Sequence, residues 1–166
     1  TKTEVITEFV KYAYENLASQ GLFVSADVFG TIIGSEIDAN AVGQDYTEMA
    51  KHLDYICPMI YPSHYGAGNF GIDHPDTKPY ETVLEALKKS RTVLEQAAEE
   101  DGHVSNQAAV RPWLQDFTAS YLGEGNYIQY GYEEVQKQIQ AVKDAGYEEW
   151  MLWSAANRYH FREEAQ

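Results

Sequence analysis

Apolar positions along the chain follow two rhythms that alternate with each other. Over residues 1–18, Val5, Ile6, Phe9, Val10, Ala13, Tyr14 and Leu17 recur at helical spacing, and Thr1 and Glu4 are spaced as a capping box. Gly21 supplies the stop. Residues 22–29 are a nearly continuous apolar run with one charge, Asp27, a pattern that predicts a strand covered on both faces. A loop with Gly30, Gly34 and Gly43 follows, then Asp45 and Glu48, whose placing suits the start of a short helix ending near Leu53.

Residues 55–60 form the next strand, which empties into an aromatic, glycine- and proline-rich loop running to Pro79. Val83, Leu84, Leu87, Val93, Leu94 and Ala97 mark an amphipathic helix over residues 80–99. A third strand is expected over 108–114. A helix over 132–145 carries Val135, Ile139 and Val142 as its apolar stripe and stops at Gly146, and a fourth strand covers 150–153. The tail from Ser154 turns polar, with room for one or two helical turns. Helices and strands alternate throughout, which calls for right-handed βαβ crossovers and a parallel sheet.

Composition narrows the class. The 166 residues suit a single domain over 1–166, and 44% hydrophobic with 23% charged residues is ordinary for a folded protein. A net charge of −14 repels phosphate backbones and anionic membrane surfaces, so nucleic acid is excluded as the expected partner. No apolar run is long enough to insert in a membrane within this segment, and no leader pattern opens it. Cys57 stands alone, in an apolar strand, and reads as a packed thiol. One cysteine does not fix the compartment, since many extracellular bacterial proteins lack disulfides; an extracellular or cell-surface location is the favoured expectation.

Four stretches carry a family likeness: Ser-Ala-Asp-Val-Phe-Gly at 25–30, Pro-Met-Ile-Tyr-Pro-Ser-His-Tyr at 58–65, Arg-Pro-Trp-Leu-Gln-Asp-Phe at 111–117 and Trp-Met-Leu-Trp-Ser-Ala-Ala-Asn-Arg-Tyr at 150–159. Together they resemble the glycoside hydrolase family DUF4015, in order and over nearly the whole chain. The resemblance implies a (β/α)8 TIM-type barrel, of which these motifs correspond to the last four strands. The expected fold is therefore α/β, a half-barrel of four parallel strands with flanking helices, against the roughly 250 residues of a whole barrel. The family's fourth strand ends in an acidic Asp-Tyr-Val-Arg-Phe-Pro type of motif with no counterpart here, and Ser154 and Ala155 stand where members often carry Asn-Pro.

In such barrels ligands sit at the C-terminal ends of the strands. Asp27 and Asp116 lie near two of those ends, and both are expected as catalytic carboxyls of a site that cleaves glycosidic bonds by acid/base chemistry. The bland readings are an ion pair of Asp27 with Arg111 and a capping role for Asp116. Tyr61, His64, Tyr65, Gln115 and Trp153 are expected to bind substrate, the rings because flat faces with polar tips suit sugars. Half the positions of a strand face its helices, so Trp153 reads equally as core. A histidine with no second His or Cys at ligand spacing argues against a metal, and no cofactor is expected.

Gly123-Glu-Gly-Asn126 lacks the lysine of a phosphate cradle, and no Gly-x-Ser-x-Gly elbow occurs, so phosphoryl and acyl chemistry lack their signatures. The expected activity is a glycoside hydrolase acting on a polysaccharide or oligosaccharide, inactive without the missing N-terminal half. A carbohydrate-binding or scaffold module without chemistry is the alternative. Open strand edges make a homodimer, or the missing half, the expected completing partner.

Overall fold

The computed structural model describes residues 1–162, which fall into two compact units. The first comprises 1–59 and 89–111, the second 60–88 and the described residues from 112 on. A single domain had been expected from length. The chain changes unit within a strand and a helix rather than in a linker.

In the first unit, α1 (Lys2–Ala18) begins with the expected capping box, Thr1 accepting from the Glu4 amide. Its apolar stripe is only partly covered: Val10 is buried and Ile6, Ala13 and Tyr14 half-buried, whereas Val5, Phe9 and Leu17 are exposed. Strand β1 (Ser25–Phe29) is shorter than the apolar run that encodes it. Val24 and Val28 are buried while Ser25, Asp27 and Phe29 are exposed, so this strand is covered on one face rather than two. A helix not expected from sequence, α2 (Glu36–Val42), follows, capped by Ser35. It buries no residue and exposes Ile37, so it lacks the apolar stripe that would announce it. Helix α3 (Tyr46–Ala50) starts on Asp45, whose carboxylate accepts from the Glu48 amide at 3.0 Å.

Strand β2 (Tyr55–Ile60) pairs in parallel with β1, Asp27 lying opposite Cys57. Its other side receives β3 (Ala109–Val110), also parallel, with Tyr55 opposite Ala109. The Arg111 amide continues that ladder by donating to the Ile56 carbonyl at 3.0 Å. Next comes Pro112, which has no N–H and whose carbonyl accepts from the Met151 amide at 2.9 Å. The expected third strand is two short ones, β3 and β4 (Trp113–Gln115). Within this unit the buried Tyr46 hydroxyl meets Ser90 at 2.8 Å, tying α3 to α4 (Pro79–Glu100).

In the second unit, β4 pairs in parallel with β5 (Met151–Trp153), Gln115 opposite Trp153. Helix α5 (Tyr132–Asp144) buries Val135, Gln138, Ile139, Ala141 and Val142 on one stripe. The Tyr80 hydroxyl, on α4, donates to Asp144 at the far end of α5 at 2.8 Å. The described part of the tail, from Ser154 to Arg162, forms turns and no helix; residues 163–166 lie outside the described residues. The β1–β2, β2–β3 and β4–β5 pairings are all parallel, and the fold is α/β with a parallel sheet and flanking helices. No helix among the described residues is long and apolar enough to cross a membrane.

Gly43 closes α2 at φ 80°, in the left-handed region that glycine alone adopts without cost. A Cβ there would lie 2.6 Å from the Lys2 side chain and 2.8 Å from Ile6. Gly43→Ala is expected to destabilise the protein by about 1–2 kcal/mol, read as a lower urea midpoint at an unchanged m-value.

Candidate active site

The second unit gathers polar groups at the outgoing end of β4. Gln115 is completely buried there, although its neighbours Trp113 and Leu114 are apolar. A buried primary amide must place two donors and an acceptor. Gln115 does so within the protein: Oε1 accepts from the Ser63 amide at 3.0 Å, and Nε2 donates to Asp76 Oδ1 at 2.8 Å and to the Phe117 carbonyl at 3.0 Å. Its backbone is held as well, the N–H donating to Gln138 Oε1 at 2.9 Å and the carbonyl accepting from Gln138 Nε2 at 2.7 Å. Gln115, expected to bind substrate, is thus buried with both amide hydrogens and its oxygen engaged by the protein, and it ties neighbouring loops together.

Asp76 is the second buried member. It sits on a 3-10 turn, Pro75–Thr77, and accepts from Gln115 on one oxygen and from the Ile128 amide, at 3.3 Å, on the other. The Tyr130 hydroxyl donates to its backbone carbonyl at 2.9 Å. Burial raises the carboxyl above its ordinary value, and the hydrogen bonds from Gln115 and Ile128 pull part of the way back.

Asp116, expected as a catalytic acid, is also buried. Its backbone N–H donates to the Trp153 carbonyl at 2.9 Å, extending the β4–β5 ladder by one residue. Its carboxyl meets His160 twice: Oδ2 accepts from the His160 backbone amide and Oδ1 faces His160 Nδ1, each at 2.7 Å. The capping reading of Asp116 is thus partly realised, with the tail after β5 in place of a helix.

The aromatic loop after β2 packs around this network. Tyr61 is buried and meets His64 edge-on at 5.0 Å between centroids and Phe117 at 5.7 Å. His64 ends a 3-10 turn, Pro62–His64, and partial burial lowers its pKa. Tyr65 is buried against Phe70, and its hydroxyl, like that of Ser63, has no hydrogen-bond partner among the described residues. Burial raises the Tyr65 hydroxyl well above its usual pKa. Trp153 is 45% exposed and its ring stands nearly perpendicular to that of Trp113, at 6.1 Å between centroids.

Asp27 belongs to the first unit and lies in the middle of β1, exposed. The register sets it opposite Cys57, and Arg111 follows β3 on the other side of β2. Asp27, Cys57 and Arg111 therefore share one face of the three-stranded sheet. The Arg111 guanidinium stacks 3.8 Å over the Tyr55 ring. A groove of about 630 Å³ in this unit is lined by Thr1, Glu4, Ser35, Asp45 and Tyr46, with no expected site residue among its walls.

Asp76, Gln138 and His160 were not foreseen. Gln138 had a signal, as a polar residue on the apolar stripe of α5 between Val135 and Val142. Asp76 and His160 had none, since both reach the network from irregular segments.

The chain belongs to the DUF4015 family, described as a putative glycosyl hydrolase domain, whose model matches residues 1–159. It is similar in structure to the PgaB (BpsB) glycoside hydrolase domain from Bordetella bronchiseptica, with a TM-score of 0.56 at 13% identity. That match covers 92% of this chain and 37% of the other, so this chain spans little more than a third of its structural neighbour. No curated protein sequence matches it.

Replacing Gln115 with Ala strands the Ser63 amide and the Asp76 carboxyl together, and is expected to cost about 3 kcal/mol or more, measured by denaturant unfolding. Asp76 adds a pH dependence. Because its folded pKa is raised above the ordinary 3.8, its protonated form is favoured by folding, and stability falls as pH rises through the raised value. Against Asp76→Asn, the wild type should therefore lose relative stability as pH climbs from below 3.8 through the acid range, then level off. A flat difference would show that Asp76 titrates normally.

Proposed function

We propose that this chain is the C-terminal part of a glycoside hydrolase that cleaves a polysaccharide or oligosaccharide, and that its strands are the last four of a (β/α)8 barrel. The family membership carries the reading, and the parallel fold similar to a glycoside hydrolase domain supports it. The chemistry needs carboxyls, one to protonate the leaving oxygen and one to act as base or nucleophile. Asp27 fits the role of a reacting carboxyl: it is an exposed strand residue on the sheet face that also carries Arg111. Asp116, expected as the second acid, is buried with both oxygens on His160, which suits it to positioning rather than to reacting.

Tyr61, His64 and Tyr65 form the aromatic floor of the rim, with His64 the member most open to solvent, and Trp153 offers a face on which a sugar ring can stack. Binding needs no metal or organic cofactor in this scheme. The residues that precede Thr1 in the natural protein, or a second copy of the chain, supply the remaining strands, and an extracellular or cell-surface location suits the substrate.

In the natural full-length protein, Asp27→Asn is expected to lower kcat/KM on oligosaccharides by about 10²–10⁴, followed by release of reducing ends across a glycan panel. The 166-residue chain alone should be inactive. Unchanged hydrolysis in Asp27→Asn removes that residue from the chemistry. Binding without cleavage by the full-length wild type would favour a carbohydrate-binding module instead.

A further inference from the structure

The contact between Asp116 and His160 is built like an orienting pair rather than a reacting acid. Asp116 is buried and enclosed, while the His160 side chain keeps 39% of its surface exposed. Among the described residues, both Asp116 oxygens are met by His160, one through the backbone amide and one through the ring. A carboxylate only accepts hydrogen bonds, so the proton between Oδ1 and the ring sits on Nδ1. In the neutral imidazole this leaves Nε2 as a lone-pair acceptor, with no protein partner among the described residues.

The ring is also placed by two independent contacts to the same carboxyl. Fixing both the backbone and Nδ1 removes the freedom to rotate that a tail histidine otherwise has. The carboxyl is itself pinned, since the Asp116 amide extends the β4–β5 ladder at the Trp153 carbonyl and the Gln115 lock precedes it directly. A rigid strand end thus carries an imidazole whose one unused nitrogen belongs to its exposed part. Trp153, 45% exposed, is joined to the same ladder.

We propose that Asp116 is a positioning residue and that the ligand-facing group is His160, whose Nε2 accepts a hydrogen bond from a sugar hydroxyl. The identity of the ligand rests on the glycoside reading; the tautomer does not. Substituting Asp116→Asn makes the distinction at the level of atoms. The asparagine has one acceptor oxygen, which the His160 backbone N–H requires, so its NH₂ faces the ring. Nδ1 must then accept, and the proton moves to Nε2.

The natural full-length protein carrying ¹⁵N-labelled histidine tests this, with the His160 signals identified by their loss in His160→Phe. The expected wild-type spectrum shows the Nδ1–H tautomer, inverted in Asp116→Asn. Gluco-, galacto-, manno- and N-acetylglucosaminyl oligosaccharides are then titrated in, and the one that binds should shift Nε2 and bind about tenfold more weakly to both variants. A wild-type ring that carries its proton on Nε2, or exchanges between tautomers, overturns the proposal. So does oligosaccharide binding that survives His160→Phe, which would leave the glycoside reading standing. Failure of the wild type to bind any of these sugars overturns that reading, and the sugar-accepting role with it, while the spectrum still reports the pair.

Discussion

The second unit depends on the satisfaction of one buried amide. Gln115 has no water to fall back on, so each of its hydrogen-bonding atoms must find a protein partner or cost on the order of 1–3 kcal/mol. It finds them on three separate segments: the turn after β2 at Ser63, the 3-10 turn at Asp76 and the chain beyond β4 at Phe117. Gln138 answers on the backbone, fixing α5 to the same residue. Loops that composition alone would leave mobile are thereby tied to a strand. The net energy of each bond is small, yet breaking any one strands a buried partner, and that asymmetry makes the arrangement specific.

From this lock the rim takes its shape. Asp116 is the next residue, aimed by the same strand end, and its two contacts to His160 hold the tail after β5. Tyr61 fills the space between Phe117 and His64 with ring edges, so the aromatic loop is packed rather than splayed toward solvent. Of the expected platforms Trp153 and His64 stay exposed, while Tyr61 and Tyr65 are buried. In the first unit a different economy holds. Asp27 avoids the desolvation that a covered strand would impose because its face of β1 is exposed, in company with Arg111.

Much of the fold was legible. The helical stripes of α4 and α5, the capping box of α1 and the run that becomes β2 all came through with boundaries within a residue or two. The departures have physical causes. Pro112, which lacks the N–H of an ordinary strand residue, falls where one expected strand divides in two. Val5 and Phe9 have the spacing of a buried stripe without a cover, since periodicity reports which residues share a face and not what packs against it. Helix α2 is too short and too polar on all sides to register.

The candidate site divides along the same line. Residue type and spacing along the chain were enough to place Asp116 and the aromatic loop at strand ends, whereas Asp27, expected at one, lies in the middle of β1 because the strand runs on to Phe29. The family likeness came from contiguous motifs, which a linear chain displays fully. What each group does was decided only by the fold. Gln115, expected to bind a ligand, is buried in a network of protein hydrogen bonds, and Asp116, expected as a reacting acid, is bonded to a histidine 44 residues away in sequence. Hydrogen-bond partners of buried groups are set by distance in space, and pairs such as Gln115 with Asp76 or Asp116 with His160 leave no periodic trace in a sequence.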